Sequence, residues 1–246
     1  MPHVEDVMGS SPAAALIMAG GRSERMRAGG SRQHKGLRTV LGMPLIEWNL
    51  RALLRFGFGR LFVAVNARER ELATWIDSHG RALAQSQSAR LDILVEAEPL
   101  GTIGAVASLP REIEDAVIVN VDNLTSLDLK ALAHSHRELR AAATIATHDQ
   151  PFPIPFGMLE LAEQQVIAYR EKPTLSIPIS SGTYVLHRRA IDRVPAGRRL
   201  DVPALIEALL QAGEAVFAYP HQEPWIDVND EAALAHAQQL FSGGEP

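Results

Sequence analysis

The sequence predicts an α/β protein, a three-layer α/β/α sandwich around a mixed, mainly parallel central sheet. Continuous apolar runs alternate along the chain with segments that have the 3.6-residue spacing of amphipathic helices. This alternation is typical of βαβ units, in which helices cover both faces of a parallel sheet. In the second half, strand-like runs follow one another without a helix between them. That part of the chain therefore predicts antiparallel strands.

The first half contains the predicted parallel strands. Residues 13–18 form an apolar run that stops at Ala19-Gly20-Gly21, where small residues indicate a tight loop. The helix predicted over 44–56 begins at Pro44, whose fixed φ suits a first helical turn. Further apolar runs and helical spacing then predict strands at 60–65, 91–95 and 116–121 and helices at 69–78 and 102–109.

The second half is more mixed. A helix over 128–139 begins at Asp128, whose charge complements the amino-terminal end of the helix dipole. Four strands, a helix, a strand and a closing helix follow, in the order 141–147, 156–161, 165–169, 182–187, 202–211, 215–219 and 231–241.

Composition excludes several classes of protein. The 246 residues include 46% hydrophobic residues, enough for a sizeable core, and no cysteine, which excludes disulfides and thiolate metal sites. A net charge of −5 does not favour a nucleic-acid partner, and no apolar run approaches the ~20 residues that a membrane helix needs. Residues 1–12 carry no lysine or arginine, so we expect a disordered lead-in rather than a secretory signal, and a cytoplasmic protein.

The loop after the first strand is strongly basic. Between Arg22 and Arg38 there are six arginine and lysine residues and one acid, Glu24. Small residues such as Gly20 and Gly21 let backbone N–H groups approach phosphate oxygens, and sites in open α/β sheets lie at the carboxyl ends of strands. A solvated basic surface is the alternative, but the position favours an anionic ligand such as a triphosphate. Neither the P-loop pattern nor the G-x-G-x-x-G fingerprint is present.

Eight motifs in order make the chain, over about residues 13–240, resemble the sugar-nucleotidylyltransferases, in particular the bacterial branch acting on hexose, hexosamine or heptose 1-phosphates. The opening signature A-[AG]-G-x-[GS]-x-R-[ML] is matched by Ala19 to Met26 and is followed by Lys35. The remaining matches are Pro44-Leu45-Ile46-Glu47, Glu98-Pro99-Leu100-Gly101-Thr102-Ile103-Gly104-Ala105, Val119-Asn120-Val121-Asp122-Asn123-Leu124-Thr125, Pro155-Phe156-Gly157, Glu171-Lys172-Pro173, Ser181-Gly182-Thr183-Tyr184-Val185 and Trp225-Ile226-Asp227-Val228.

The resemblance implies a Rossmann-like single domain over 13–241, with a nucleotide half at about 13–125 and a sugar-phosphate half at about 126–241. It also implies transfer of a nucleotidyl group from a nucleoside triphosphate to a sugar 1-phosphate, often by a homodimer. Arg25 and Lys35 would hold the triphosphate, and Asp122 and Asp227 would hold Mg²⁺, an ion that prefers oxygen ligands. The expected nucleotide-binding residues are Ala19, Gly20, Gly21, Arg22, Glu96, Gly101 and Thr102. The expected sugar-phosphate residues are Gly157, Glu171, Lys172, Ser180 and Ser181.

Glu96 bears on the choice of nucleotide. A carboxylate can accept both N1–H and N2–H of guanine, and uracil has no comparable pair of donors. This difference favours GTP.

Departures from the family pattern leave other functions open. His34 stands in place of proline, Val121 and Asn229 in place of glycine, and Ser180 in place of asparagine. Val121 would add bulk beside the sugar pocket. Ser23 makes the opening motif resemble molybdenum-cofactor nucleotidylyltransferases as well. A catalytically silent homologue that binds a nucleotide sugar and regulates a partner is the third interpretation.

Overall fold

The computed structural model of the chain describes residues 14–21 and 33–243. The expected lead-in over residues 1–12 lies outside the described residues, as do Arg22 and Arg25. The strands are β1 (Ala14–Ala19), β2 (Thr39–Val40), β3 (Met43–Pro44), β4 (Arg60–Asn66), β5 (Arg90–Glu96), β6 (Asp115–Asn120), β7 (Asn123–Thr125), β8 (Ala143–Pro153), β9 (Met158–Ala162), β10 (Gln165–Arg170), β11 (Thr174–His187), β12 (Val216–His221) and β13 (Trp225–Asp227). The α-helices are α1 (Leu45–Arg55), α2 (Arg70–Trp75), α3 (Arg81–Ser86), α4 (Leu129–Glu138), α5 (Arg188–Ile191), α6 (Val202–Gln211) and α7 (Glu231–Leu240).

The central sheet has seven strands in the order β12-β8-β11-β6-β1-β4-β5. Neighbouring strands pair in parallel except at β11, which is antiparallel to both β6 and β8. The predicted mixed, mainly parallel sheet is therefore confirmed. Within the described residues, no helix combines the length and the apolar character needed to span a membrane.

Two apolar cores lie on opposite faces of the sheet. Alternate residues of β1 divide between them, since Ile17 belongs to one cluster and Leu16 to the other. The first cluster packs the sheet against α1, α2 and α4, and the second packs it against α5 and α6. Both Leu16 and Ile17 are fully buried, which stabilises the fold by about 1.5–3 kcal/mol for each such side chain. These two cores are the physical basis of the predicted three-layer sandwich.

The helix predicted over 69–78 continues further than expected. After α2, a π-helical turn at Ile76–Gly80 leads directly into α3. Gly80 is a weak helix former, yet it lies inside this continuous helix, where an added Cβ would lie 3.1 Å from Leu91 Cδ2, so that Leu91 would have to shift by a few tenths of an ångström. Close packing on the sheet therefore overrides local helix propensity. The segment predicted as a helix over 102–109 is a 3₁₀ turn, Gly104–Ser108.

The strand predicted over 182–187 is longer and helps to build a projection, which we call the arm (residues 147–180). A register shift between Ser180 and Tyr184 separates the part of the β8–β11 ladder in the sheet from the outer part, which runs from Thr147↔Ser180 to Pro153↔Thr174. Beyond it, β9 and β10 pair as a separate two-stranded sheet.

A small third core holds the β7–β13 ribbon against α7. Trp48 of α1 lies at its centre, with its ring centroid 5.6 Å from that of Phe241 and its Nε1 donating to the Val40 carbonyl at 3.0 Å. Ile226 and Leu124, which are cross-strand partners in the ribbon, also belong to this cluster. The packing gives the residues next to the ribbon a defined position, which matters for the two aspartates beside it.

Candidate active site

The candidate site lies where the parallel strands end. β1, β5 and β6 end at Ala19, Glu96 and Asn120, so the residues that follow meet at one edge of the sheet. From β1 the chain proceeds to β4 and β5 on one side, and β6 then lies on the other side of β1. This is a topological switch point, where ligands bind in open α/β sheets.

Lys35 and Asp122 form an ion pair at this edge. Lys35 Nζ lies 2.6 Å from Asp122 Oδ2, and the two side chains are only 19% and 15% exposed. Asp122 directly follows the strand predicted from the apolar run, and Lys35 begins a 3₁₀ turn, Lys35–Leu37. Two residues that are 87 positions apart are thus brought into direct contact.

His34 fixes the position of the Lys35 turn. Its Nδ1 accepts the Gly36 N–H at 2.9 Å, and its Nε2 lies 3.0 Å from the carbonyl oxygen of Ala19. Since a carbonyl can only accept, Nε2 carries the proton and the imidazole is the neutral Nε2–H tautomer. The predicted nucleotide-binding residue Ala19 is therefore tied through His34 to the turn that carries Lys35. Sequence reasoning noted His34 only as a departure from proline and did not find this role.

Asp227 lies beside Asp122 through backbone pairing. It is the cross-strand partner of Asn123 in the β7–β13 ribbon, and the Val228 N–H donates to the Asp122 carbonyl at 2.8 Å. Asn229 donates to Asp227 Oδ2 at 3.2 Å, so the residue that replaces glycine contacts the carboxylate directly. The two aspartates predicted to act together thus come from adjacent backbone positions.

This pair of carboxylates is compatible with a Mg²⁺ ion. Among the described residues there is no group of three or more histidine, cysteine, aspartate or glutamate side chains that could hold a metal. Mg²⁺ is typically bound through one or two carboxylates, with phosphate and water oxygens completing its octahedron. The oxygen donors of Asp122 and Asp227 therefore fit this ion, provided that a phosphate ligand supplies the rest.

Glu96, the last residue of β5, lies next to Gly20, which follows β1. It is 3% exposed, its Oε2 accepts the Leu100 N–H at 3.0 Å, and its Oε1 has no hydrogen-bond partner among the described residues. A Cβ added at Gly20 would lie 2.5 Å from the carboxylate, so a side chain at this position would require the Glu96 carboxylate to move. Burial raises the pKa of Glu96 above its ordinary value of 4.5, and the Leu100 N–H opposes this shift. A buried acceptor without a donor is thus available next to Gly20.

Gly101 and Thr102 make contacts within the protein. Gly101 has a φ of +83°, and a Cβ there would meet the Leu200 carbonyl oxygen. The Thr102 N–H donates to Asp201 Oδ1 at 2.9 Å, and Thr102 Oγ1 accepts the Val202 N–H at 2.9 Å. These two hydrogen bonds join the turn at Gly101–Thr102 to the start of α6, and Thr102 itself is exposed.

Ser181 connects the arm to the ribbon. Its side chain is 1% exposed and donates to the Ala146 carbonyl at 3.0 Å. Its carbonyl accepts from Asn123 Nδ2 and from Trp225 Nε1, the latter at 2.8 Å. This placement argues against the predicted direct contact between the Ser181 hydroxyl and a sugar.

Ser180, the neighbour of Ser181, is exposed. Its hydroxyl donates to Tyr184 Oη at 2.9 Å. Ser180 therefore remains a candidate for sugar binding.

Two asparagines missed by sequence reasoning hold the backbone of this region. Asn123 donates to Ser181, and a Cβ at Gly182 would lie 2.1 Å from Asn123 Nδ2. The buried Asn49 of α1 donates to the carbonyl of Val121 at 3.1 Å. These two buried amides donate to the backbone carbonyls of Val121 and of Ser181 in β11, and so hold the chain on both sides of Asp122. The position of Asn123 directly after Asp122 was the available sequence signal.

Val121, which replaces a glycine of the family pattern, is a core residue. Its side chain is fully buried in the first core cluster, 3.0 Å from a Cβ built on Gly36. The extra volume relative to glycine is accommodated in the core beside Gly36, and the expectation that Val121 adds bulk beside the sugar pocket stays a prediction.

Three of the predicted sugar-phosphate residues lie together on the arm. Tyr169 Oη donates to Glu171 Oε2 at 2.7 Å, and a Cβ at Gly157 would lie 2.2 Å from Tyr169 Oη. Lys172 is exposed and has a φ of +43°, a left-handed conformation that is uncommon for residues with a Cβ. These interactions lie within residues 157–171 and do not by themselves connect the group to the ion pair of Lys35.

Comparison with known proteins gives the family. Residues 14–242 match the family model described as nucleotidyl transferase. Mannose-1-phosphate guanylyltransferase from Mycobacterium tuberculosis is 27% identical over 223 residues, which cover 87% of this chain and 60% of that protein. UTP–glucose-1-phosphate uridylyltransferase from Synechocystis is 26% identical over 230 residues, which cover 87% of this chain and 59% of that protein. The chain thus spans about three fifths of the length of these two relatives.

A solved structure shares the fold. HddC from Yersinia pseudotuberculosis, solved in complex with GMP-PN, superposes with a TM-score of 0.71 at 20% sequence identity, over 93% of this chain and 99% of that chain. The Rossmann-like architecture expected from the motifs is confirmed. Because the family model matches residues 14–242, the chain belongs to the nucleotidyl transferase family.

Proposed function

We propose that this protein is a Mg²⁺-dependent sugar-1-phosphate nucleotidylyltransferase, which joins a nucleoside triphosphate to a sugar 1-phosphate and releases pyrophosphate. The observation that carries the proposal is the Lys35–Asp122 pair at 2.6 Å, with Asp227 beside it, at the switch point that follows β1. One ammonium group and two carboxylates at this edge are groups that can neutralise and align two phosphate-containing substrates during nucleotidyl transfer.

The two reactants are both anions, so the site must neutralise charge and align them. The sugar-phosphate oxygen attacks the α-phosphorus in line with the departing pyrophosphate, and no protein nucleophile is needed. Asp122 and Asp227 would hold Mg²⁺, which supplies charge neutralisation and orients the phosphate oxygens. The ammonium group of Lys35 is held by its ion pair with Asp122 and by the hydrogen bonds that His34 makes to Ala19 and Gly36, and it would contact the triphosphate. Arg25 is proposed for the same task from its motif.

The nucleotide half, about 13–125, would bind the triphosphate beside Gly20 and Gly21. Glu96 Oε1 is buried without a partner next to Gly20, so an arriving N–H donor would gain the hydrogen bond that the carboxylate lacks. Guanine offers two adjacent N–H groups to one carboxylate, and uracil and thymine offer one. This difference supports GTP as the favoured nucleotide. Gly101 supports the turn, and Thr102 acts on it through Asp201 and α6.

The sugar-phosphate half, about 126–241, would bind the second substrate along the arm. Glu171 is oriented by Tyr169, which leaves its other oxygen to accept from a sugar hydroxyl. The exposed ammonium of Lys172 suits a sugar phosphate, and backbone strain at a non-glycine residue is often found at ligand sites. Gly157 and Ser180 complete the proposed surface.

A substrate panel tests the function. The protein would be incubated with Mg²⁺, one of GTP, UTP, ATP, CTP and dTTP, and one of a set of hexose, hexosamine and heptose 1-phosphates, and pyrophosphate release would be measured. Release that depends on both substrates and is fastest with GTP is the expected result. Nucleotide-sugar binding without turnover in any combination would instead favour the regulatory homologue, and turnover with a molybdenum-cofactor precursor alone would favour that alternative.

A further inference from the structure

Two histidines meet where the arm leaves the central sheet. His148 lies opposite His221 in the parallel ladder of β8 and β12, and the two form the last pair of that ladder. Their ring centroids are 5.4 Å apart. On its other side, His148 is paired with Ile179 of β11, in the outer ladder of the arm. This histidine pair therefore connects the base of the arm to β12, which is an edge strand of the sheet.

The histidine pair lies at the same edge of the sheet as Asp122. β11 is antiparallel to both β6 and β8, so β8 runs in the same direction as β6, and β12 is parallel to β8. His221 is the last residue of β12, as Asn120 is the last residue of β6. Because β8 and β11 lie between β12 and β6, the pair is separate from the ion pair of Lys35 and Asp122.

Trp225 joins the histidine pair to the candidate active site. Its ring centroid lies 5.5 Å from that of His148, and its Nε1 donates to the Ser181 carbonyl at 2.8 Å. The same carbonyl accepts from Asn123, which directly follows Asp122 in the chain. A change in the packing of the His148 ring would therefore act, through Trp225, on the hydrogen bonds beside the two aspartates.

The histidine pair is buried and lacks hydrogen-bond partners. His221 is 6% exposed, and within the described residues neither of its ring nitrogens has a partner, nor does Nδ1 of the half-buried His148. Asp149 is exposed and, as the next residue of the strand, projects to the opposite face of β8. A neutral imidazole has one N–H group, whereas an imidazolium has two and carries a charge that burial disfavours. The packing therefore favours the neutral pair over a protonated one.

The titratable groups around His221 act in opposite directions. Burial lowers the pKa of His221 below its ordinary value of 6.5, and the neighbouring His148 lowers it further, whereas the charge and the backbone of Glu223 oppose this shift. β11 contributes Ile179 and the ribbon contributes Trp225, and neither of these side chains titrates. His221 is thus neutral at pH 7 and takes up a proton only under acidic conditions.

We propose that the histidine pair is a pH-sensitive contact, which holds the base of the arm to the sheet while both rings are neutral and loosens when a ring is protonated. Glu171 and Lys172 lie on the arm, so loosening would weaken the binding of the sugar phosphate. This consequence rests on the proposed function, whereas the contact itself does not depend on which substrates the protein uses.

NMR spectroscopy tests the contact without reference to activity. The chain has three tryptophans and therefore three indole Nε1–H resonances, of which Trp225→Phe identifies one. In the wild type, the resonance of Trp225 should shift as the pH falls below the ordinary histidine value of 6.5. The resonance of Trp48, which belongs to the third core, should stay in place.

Two double variants isolate the effect of the pair. The His148→Phe/His221→Phe variant keeps two aromatic rings and cannot take up the proton, so its Trp225 resonance should not shift. The His134→Phe/His236→Phe variant changes two exposed histidines, on α4 and α7, and is the matched control. It should show the same pH response as the wild type.

Stability and kinetics give two further readouts. Because the pKa of His221 is lowered in the folded state, the unfolded state binds more protons below pH 6.5. The wild type should therefore lose stability relative to the His148→Phe/His221→Phe variant as the pH falls from about 8 to about 5. Over the same range, KM for the sugar phosphate should rise at least about fivefold more in the wild type than in that variant. The titration of the phosphate itself, near pH ~6, cancels in this comparison.

The readouts separate failure of the contact from failure of the proposed function. A Trp225 resonance that stays in place below pH 6.5, or that shifts equally in the His148→Phe/His221→Phe variant, would overturn the contact. An equal rise of KM in the two proteins would overturn its link to the arm. If no substrate pair is turned over, the proposed function fails, and the NMR and melting measurements still decide the contact. If the double phenylalanine variant does not fold by circular dichroism, His148→Gln/His221→Gln carries the test with the same expected outcomes.

Discussion

The ion pair at the end of β6 provides the sharpest test of the proposed chemistry. In the wild type, Lys35 Nζ lies 2.6 Å from Asp122 Oδ2. Asp122→Asn removes one negative charge but keeps the shape of the side chain and one oxygen that can accept from Lys35 Nζ. Loss of the charge from this partly buried pair should lower the free energy of unfolding by about 1 kcal/mol. Loss of a preorganised ligand for the charge that develops during transfer should lower kcat by ~100–1000-fold, or about 2.7–4 kcal/mol.

Asp115 is a matched control at the other end of the same strand. Its Oδ2 accepts from Arg137 Nε at 2.9 Å and its side chain is 12% exposed, so it resembles Asp122 in burial and pairing. Asp115→Asn should lower stability by about as much, ~1 kcal/mol, and leave kcat within about twofold, because it lies away from the carboxyl ends of the strands. Unfolding would be measured by urea titration, and turnover by pyrophosphate release across a range of Mg²⁺ concentrations.

Two outcomes would refute the reasoning. If Asp122→Asn keeps its kcat and its Mg²⁺ dependence, Asp122 does not act in the transfer. If Asp115→Asn lowers kcat as much as Asp122→Asn does, the loss of activity comes from destabilisation of the fold rather than from the loss of a group that acts in the transfer.

Three further perturbations test the rest of the site. Lys172→Ala should raise KM for the sugar phosphate ~10–100-fold, because one charged contact with the phosphate is lost. Lys130→Ala, at an exposed lysine of α4, is the control. An effect of Lys172→Ala confined to the nucleotide KM, or an equal effect of Lys130→Ala, would place Lys172 outside the sugar site. Burial raises the folded-state pKa of Glu96, so the native state holds the proton more tightly than the unfolded state does. The wild type should therefore lose stability relative to Glu96→Gln as the pH rises above the ordinary pKa of 4.5. Between pH 4 and pH 8 the difference between the melting temperatures of the two proteins should widen, and a constant difference would contradict the buried charge. Gly182→Ala would place a Cβ 2.1 Å from Asn123 Nδ2 at a residue whose φ is +72°. It should lower the free energy of unfolding by more than the ~1 kcal/mol that a left-handed alanine alone costs. A smaller loss would show that the backbone at residue 182 relaxes to accommodate the methyl group.

Local pattern predicted the elements of the sheet because apolar spacing follows the geometry of strands and helices. The runs at 60–65, 91–95 and 116–121 all became strands, and the helix over 202–211 has the predicted bounds. The failures occurred where packing overrode local preference. The helix predicted to end at residue 78 continues through Gly80, which is buried and packs against Leu91. The outer ladder of the arm, rich in proline, could be seen only once β8 and β11 were paired.

The chemistry of the site divides in the same way. The sequence by itself determined which residue types are present: a lysine after a glycine loop, two aspartates at the ends of apolar runs, and an E-K-P motif. Only the tertiary structure decided that Lys35 contacts Asp122, and that the backbone at Asp227 lies next to that at Asp122 through the β7–β13 ribbon. It also decided that the polar groups of Thr102 and the Ser181 side chain are engaged within the protein. The physical reason is that residue type sets what a side chain can bind, whereas its partners depend on contacts between residues far apart in sequence, whose distances and burial exist only in the folded chain.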